Sequence, residues 1–140
     1  LNMKRAFLVI THGSMGVEAV KSLELLMGPQ KNVTGLGLVP GESVDELRDK
    51  VYAVLEENQK TYDETVIIVD LLGGSPSNVS LSTLAKYHEI KIITGLNLPL
   101  LVNLLNFTDS VDDTEQLIND SIDVAKDGIK LIDKNFLKHK

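Results

Sequence analysis

The chain has no cysteine, so disulfides and thiolate metal sites are excluded, and a reducing compartment is permitted without being required. Basic residues are in the minority: 14 Lys and Arg stand against 20 Asp and Glu, a net charge of −6. That balance repels phosphate-rich partners unless a local basic patch outvotes it. The nearest thing to a patch is the terminal "KNFLKHK", read as a frayed tail over 134–140, so no nucleic-acid partner is expected. Long apolar runs are also missing. None approaches the roughly 18 residues of a membrane helix. The run Phe7–Ile10 behind Lys4 and Arg5 ends at Thr11 and His12, with no small-residue cleavage site of the kind a signal peptide carries. A cytoplasmic protein is expected, and Leu1 and Asn2, ahead of Met3, are set aside as a remnant.

What remains is an ordinary globular composition, 43% apolar and 24% charged over 140 residues, enough for one core and one domain over 3–140. Residues 5–11 are a continuous apolar run, as in a strand covered on both faces. Val17, Val20, Leu23 and Met27 follow at helical spacing and stop at Gly28-Pro29. Val33–Val39 reads as a second strand weakened by Gly35 and Gly37. Ser43 and Glu46 form a capping-box signature for a helix with Val44, Leu47, Val51 and Leu55 on one face. The β-branched run Thr65–Leu71 is the strongest strand. A helix is expected from near Ser75 as N-cap, with Pro76 at its first position. "IKIIT" at 90–94 is a fourth strand, with helices over about 99–106 and around Leu117, Ile118, Ile122 and Ala125. "GIKLID" is a possible fifth strand. Alternating strands and helices mean right-handed crossovers and an α/β fold, an open, doubly wound, mainly parallel sheet of order 2-1-3-4 with helices on both faces.

Ligands of such sheets bind beyond the carboxyl ends of the strands, where strand order reverses. Three glycine-bearing loops leave those ends: "THGSMG", "DLLGGSPSN" and "TGLNLP". The order 2-1-3-4 puts His12 beside Asp70. A carboxylate on one ring nitrogen fixes the tautomer and leaves the other nitrogen as nucleophile or base. Gly73 and Gly74 allow close backbone approach, and a helix N-terminus at Ser75 attracts anions, phosphate among them. Together these point to phosphoryl chemistry on a histidine. Singly, each is ordinary: a strand-end histidine is commonly a surface residue, and Asp and "GGSP" commonly make turns. His88 and His139 read as solvated. No P-loop lysine follows any glycine. A Ser75–His12–Asp70 hydrolase triad lacks the last glycine of G-x-S-x-G, and Pro76 removes the oxyanion N–H. A receiver domain would need an acidic pair where Thr11-His12 stands.

Over residues 4–133 the chain resembles the enzyme IIA components of the mannose-type branch of the bacterial phosphoenolpyruvate-dependent sugar phosphotransferase system. The resemblance is carried by "THG" after the first strand, "VPGE" at 39–42, "VDLLGGSPSN" at 69–78 and "GLNLPLL" at 95–101. It implies that His12 is transiently phosphorylated, accepting the group from the phosphocarrier HPr and passing it to an enzyme IIB, with Asp70 orienting the imidazole. It implies also that Gly73, Gly74 and Ser75 hold the phosphoryl oxygens, with no metal and no cofactor. The resemblance further implies a homodimer, with "GIKLID" matching the strand exchanged between copies, and indirect association with membrane IIC and IID components; many relatives carry a fused IIB, and with the sequence ending at Lys140 a IIB on a separate polypeptide is expected. A regulatory histidine-phosphorylated module and the phosphotransfer subunit of dihydroxyacetone kinase are the alternatives, the latter lacking the "GGSPxN" form. Two departures stand out: "GSMGVEAV" differs from the commoner "HG-x-x-A-E", leaving the start of the first helix open, and Leu100 replaces a frequent methionine.

Overall fold

The structure, a computed structural model, describes residues 3–138; Leu1, Asn2, His139 and Lys140 lie outside the described residues. Four strands, β1 (Arg5–His12), β2 (Val33–Leu38), β3 (Glu64–Val69) and β4 (Ile90–Thr94), form one parallel sheet in the order β2-β1-β3-β4. They alternate with α1 (Met15–Met27), α2 (Val44–Asn58), α3 (Gly74–Lys86) and α4 (Leu98–Phe107), after which come α5 (Thr114–Asp127) and a short α6 (Lys134–Lys138). The expected strand order and the expected burial of both sheet faces are observed.

The alternation within β1 and β3 explains why the sheet is doubly covered. Phe7, Val9, Val66 and Ile68 face one core with residues of α1, α4 and α5, while Leu8, Ile10, Ile67 and Val69 face the other with α2 and α3. All eight side chains are fully buried. A slip of one residue in β1 would exchange its two faces and mismatch both cores, so the register that brings His12 level with Leu38 is strongly held.

Gly35 and Gly37 do not weaken β2; they make room for the chain beside it. A Cβ on Gly35 would lie 2.8 Å from the Gly16 carbonyl oxygen, and one on Gly37 only 1.8 Å from that of Gly13. The capping box on α2 forms as expected, with the Glu46 N–H donating to Ser43 Oγ at 3.0 Å and the Ser43 N–H to Glu46 Oε1 at 3.4 Å.

Two expectations need correction. "GIKLID" makes no strand among the described residues: Gly128–Asp133 lies outside helix and sheet, with Ile129, Leu131 and Ile132 at 78, 86 and 66% exposure. Apolar content marks a segment for burial, but a strand also needs a backbone to pair with, and neither edge of the sheet, β2 or β4, pairs with this segment. The tail 134–138 is a turn and a half of exposed helix rather than frayed coil.

Candidate active site

β1 ends by delivering His12 to the carboxyl edge of the sheet, and β3, its neighbour across the order reversal, delivers Asp70 one residue beyond its own end. The two are 58 positions apart in sequence and in direct contact, as expected. Asp70 Oδ2 accepts from the His12 backbone N–H at 2.9 Å and lies 2.8 Å from Nδ1, while Oδ1 accepts from the Leu71 N–H at 3.0 Å. One carboxylate thus clamps both the main chain and the ring of the same residue. Its side chain is 9% exposed, and that of His12 is 47% exposed. Burial opposes the Asp70 charge, but the His12 backbone N–H, the imidazole and the Leu71 N–H outweigh it, holding the carboxyl below its usual value of 3.8. An ionised Asp70 only accepts, so Nδ1 carries the proton and Nε2 is the free nitrogen.

The chain turns from β3 into α3 through Gly73 (φ 92°) and Gly74 (φ 82°), both in the left-handed region. A Cβ on Gly74 would lie 3.0 Å from both Nε2 and Cε1 of His12, so the start of α3 is packed against the free nitrogen. The sequence placed Ser75 as N-cap and Pro76 first in the helix. Gly73 is the cap instead, without a side-chain hydrogen bond, because the two positive-φ glycines let the helix begin earlier. Ser75 is half-buried in the first turn, and Pro76 sits third, still within the turn whose N–H groups have no intrahelical partner. The geometry makes a shallow site: an oriented imidazole nitrogen beside a positive helix end, open to solvent.

The third loop differs. Asn97 Oδ1 accepts from Leu100 N–H at 2.9 Å to cap α4, its Nδ2 donates to the Ala125 carbonyl at 3.1 Å, and Leu96 N–H donates to the Val69 carbonyl at 3.1 Å. These hydrogen bonds tie the loop to β3, α4 and α5 rather than turning it toward His12. His88 is exposed just past α3 and far from this edge in topology.

Sequence reasoning passed over Thr11 and Gly37. Thr11 is fully buried, and its Oγ accepts from Gly16 N–H at 2.7 Å. Gly13 N–H donates to the Leu38 carbonyl at 2.8 Å, directly over Gly37. A glycine inside a strand was the available signal of close backbone approach.

A hollow of about 1000 Å³ opens at the other end of the strands among Lys4, Gln30, Asn32, Tyr62 and Leu105. The Arg5 guanidinium beside it is wholly engaged, by Thr114 Oγ at 2.8 Å, the Thr108 carbonyl at 2.8 Å and the Asp112 carbonyl at 2.5 Å. Thr114 in turn donates to Glu64. This network stitches β1, β3 and α5 and presents no free group for chemistry. Among the described residues no three His, Asp or Glu side chains converge as a metal site would need, and no helix is long and apolar enough to cross a membrane.

An open parallel sheet with an aspartate-held histidine at its order reversal and a glycine-opened helix beside the free nitrogen defines a class, the doubly wound α/β domains with a histidine-centred site at the switch point. Sequence comparison takes the assignment one step further: residues 6–122 match the family model described as the PTS system fructose IIA component. The chain belongs to this mannose-type enzyme IIA family of the phosphotransferase system, whose members are phosphotransferase components. It is 30% identical over 130 residues to the PTS system mannose-specific EIIAB component of Escherichia coli K12, which covers 93% of this chain but only 40% of that protein. It is 32% identical over 104 residues to the sorbose-specific EIIA component of Klebsiella pneumoniae, covering 73% of this chain and 75% of the other. The crystal structure of a PTS IIA protein associated with the fucose utilization operon of Streptococcus pneumoniae superimposes with a TM-score of 0.78 at 32% identity, covering 87% of this chain and 91% of that one.

Proposed function

We propose that the chain, as one domain over residues 3–140, is a phosphocarrier of sugar uptake: Nε2 of His12 takes a phosphoryl group from phospho-HPr and passes it to an enzyme IIB. The observation that carries the reading is the 2.8 Å contact between His12 Nδ1 and Asp70, with Nε2 turned toward the start of α3. In the forward step the donor's N–P bond breaks as the Nε2 lone pair forms the new one, and Nδ1 keeps its proton. The ring gains positive charge, which the ionised Asp70 offsets at hydrogen-bond distance. The phosphoryl oxygens lie at the N-terminus of α3, held by backbone N–H groups at Gly73 and Gly74 and by Ser75. Transfer of this kind asks mainly for in-line placement and charge stabilisation, so no metal and no cofactor enters.

Both donor and acceptor are proteins, which fits an imidazole nearly half exposed at an open edge. The uncovered run Ile129, Leu131 and Ile132 supports a homodimer in which this segment pairs with the neighbour's sheet. We place the protein in the cytoplasm, in indirect association with membrane IIC and IID components. Which sugar the system carries is decided by those partners, since no part of this site meets it.

The test is incubation with phosphoenolpyruvate, enzyme I and HPr, followed by mass mapping of the product. An acid-labile phosphoryl adduct on His12, absent from His12→Ala, is expected. A stable adduct on Ser75, or no adduct, would refute the reading.

A further inference from the structure

We propose that the Thr11 hydroxyl is a positioning residue for His12, holding the turn that carries the imidazole so that Nδ1 meets Asp70 and Nε2 meets the start of α3. The proposal rests on the carrier reading for its consequence in transfer, and on geometry alone for its mechanism.

α1 begins at Met15, yet its N-cap residue Ser14 makes no side-chain hydrogen bond. The capping is done from the strand instead. Thr11 Oγ accepts from Gly16 N–H at 2.7 Å, and the same hydroxyl lies 3.5 Å from the Gly13 carbonyl oxygen, toward which its proton points. The side chain is fully buried, and a Cβ on Gly16 would lie 3.1 Å from both its Oγ and its methyl.

The bond from Thr11 to Gly16 closes a loop whose only other members are His12, Gly13, Ser14 and Met15. Gly13 is fixed three ways within it. Its φ of +60° is left-handed, its N–H donates to the Leu38 carbonyl at 2.8 Å, and its carbonyl oxygen sits 1.8 Å from where Gly37 would carry a Cβ. His12 therefore stands between a strand in register and a turn locked by Thr11. Its N–H and Nδ1 meet the same oxygen of Asp70 only while that turn keeps its shape. Without the hydroxyl, the Gly16 N–H is left buried and unpartnered. The turn then rearranges to satisfy it and carries the imidazole with it.

The test uses the full chain with Thr11→Val, Thr11→Ser and Thr11→Ala. The readouts are the Nδ1–H resonance of His12 in ¹⁵N-labelled protein and the rate of phosphoryl transfer from phospho-HPr. Valine keeps the shape and loses the hydroxyl; it is expected to lose the hydrogen-bonded Nδ1–H resonance and to slow transfer roughly tenfold to a hundredfold. Serine is expected to retain both. Should the valine variant fail to fold, serine and alanine carry the comparison, since both lack the methyl and differ by the hydroxyl. Folded valine and alanine variants with the wild-type resonance and rate would overturn the proposal. So would a serine variant as impaired as alanine, or a fall in melting temperature with the resonance unmoved. The resonance does not depend on any partner, so failure of the carrier reading, shown by phosphoryl uptake in His12→Ala, is separately visible.

Discussion

Gly74 offers the sharpest test of which atom of the site does the work. Its φ of +82° is costly for any other L-residue, and an added Cβ meets His12 Nε2 and Cε1 at 3.0 Å. Gly73 next to it has a φ of +92° and open space around its Cα. Alanine at either position therefore brings backbone strain of about 1–3 kcal/mol. For a chain of this length that corresponds to a fall in melting temperature of roughly 3–15 °C. Only Gly74→Ala also puts a methyl against the free nitrogen. The ring must give by a few tenths of an ångström, and since a 1 Å misplacement costs on the order of a hundredfold in rate, a loss of roughly threefold to tenfold is expected. The assay is rapid-quench transfer of labelled phosphoryl from phospho-HPr, at a temperature where both variants are folded. Gly73→Ala is expected to keep most of its rate and Gly74→Ala to lose most of it. Equal rates in the two variants, or wild-type transfer in Gly74→Ala, would show that the phosphoryl path does not pass between Nε2 and the start of α3.

The pH dependence of stability provides a second check. The Asp70 carboxyl is held below 3.8 in the folded protein, so the unfolded chain binds its proton first, and its stabilising contribution is complete above that value and lost as pH falls through the folded one. In urea unfolding, the gap between wild type and Asp70→Asn should be widest near neutral pH and close below pH 3.8; a gap independent of pH would remove the charge from the account. At the far end of the strands, Arg5→Met leaves buried Glu64 without its cation, and Thr114 Oγ and two backbone carbonyls without their donor, and is expected to cost about 3–5 kcal/mol. Its folded fraction should still transfer phosphoryl normally, and a loss under about 1 kcal/mol would mean the network is not the fastening described. Asn97→Ala removes the α4 cap and the tie to Ala125, with an expected loss of about 1–2 kcal/mol in thermal unfolding and no change in His12 phosphorylation. A slowed reaction there would return the third loop to the site.

Much of this arrangement was legible because the strands are buried on both faces. The runs at 5–11 and 65–71 read as central parallel strands with 90–94 beside them, and the order that follows puts His12 next to Asp70. What escaped depends on contacts between segments distant in sequence. Gly37 looks like a weak strand residue until the Gly13 carbonyl is seen where its Cβ would be. Thr11 looks like an ordinary strand residue, since nothing local shows that its hydroxyl accepts from the Gly16 N–H in the first turn of α1. Ser75 was placed as the cap on chemistry, and two positive-φ glycines moved the helix start past that rule. "GIKLID" carries the apolar alternation of a strand, but pattern cannot say whose backbone it pairs with.

Under the proposed carrier role, the loops around His12 would also explain how an acidic chain holds a phosphoryl group. Residues 11–17, 38–43, 70–78 and 94–99 contain no Lys or Arg. The positive potential at the site comes from the N-terminal end of α3, a partial charge of about half an electron fixed in the fold. An arginine fork there would bind the phosphoryl oxygens more strongly and deepen the well in which the group rests. A carrier must give the group away as readily as it takes it, so a shallow well is the better design. In the proposed carrier step Asp70 would act in the same sense, stabilising the charged ring on which the N–P bond forms and breaks without a contact that the departing phosphoryl must break. Under the proposed role a single aspartate and a helix end would suffice, and loops without Lys or Arg of their own suit a group that must be passed onward.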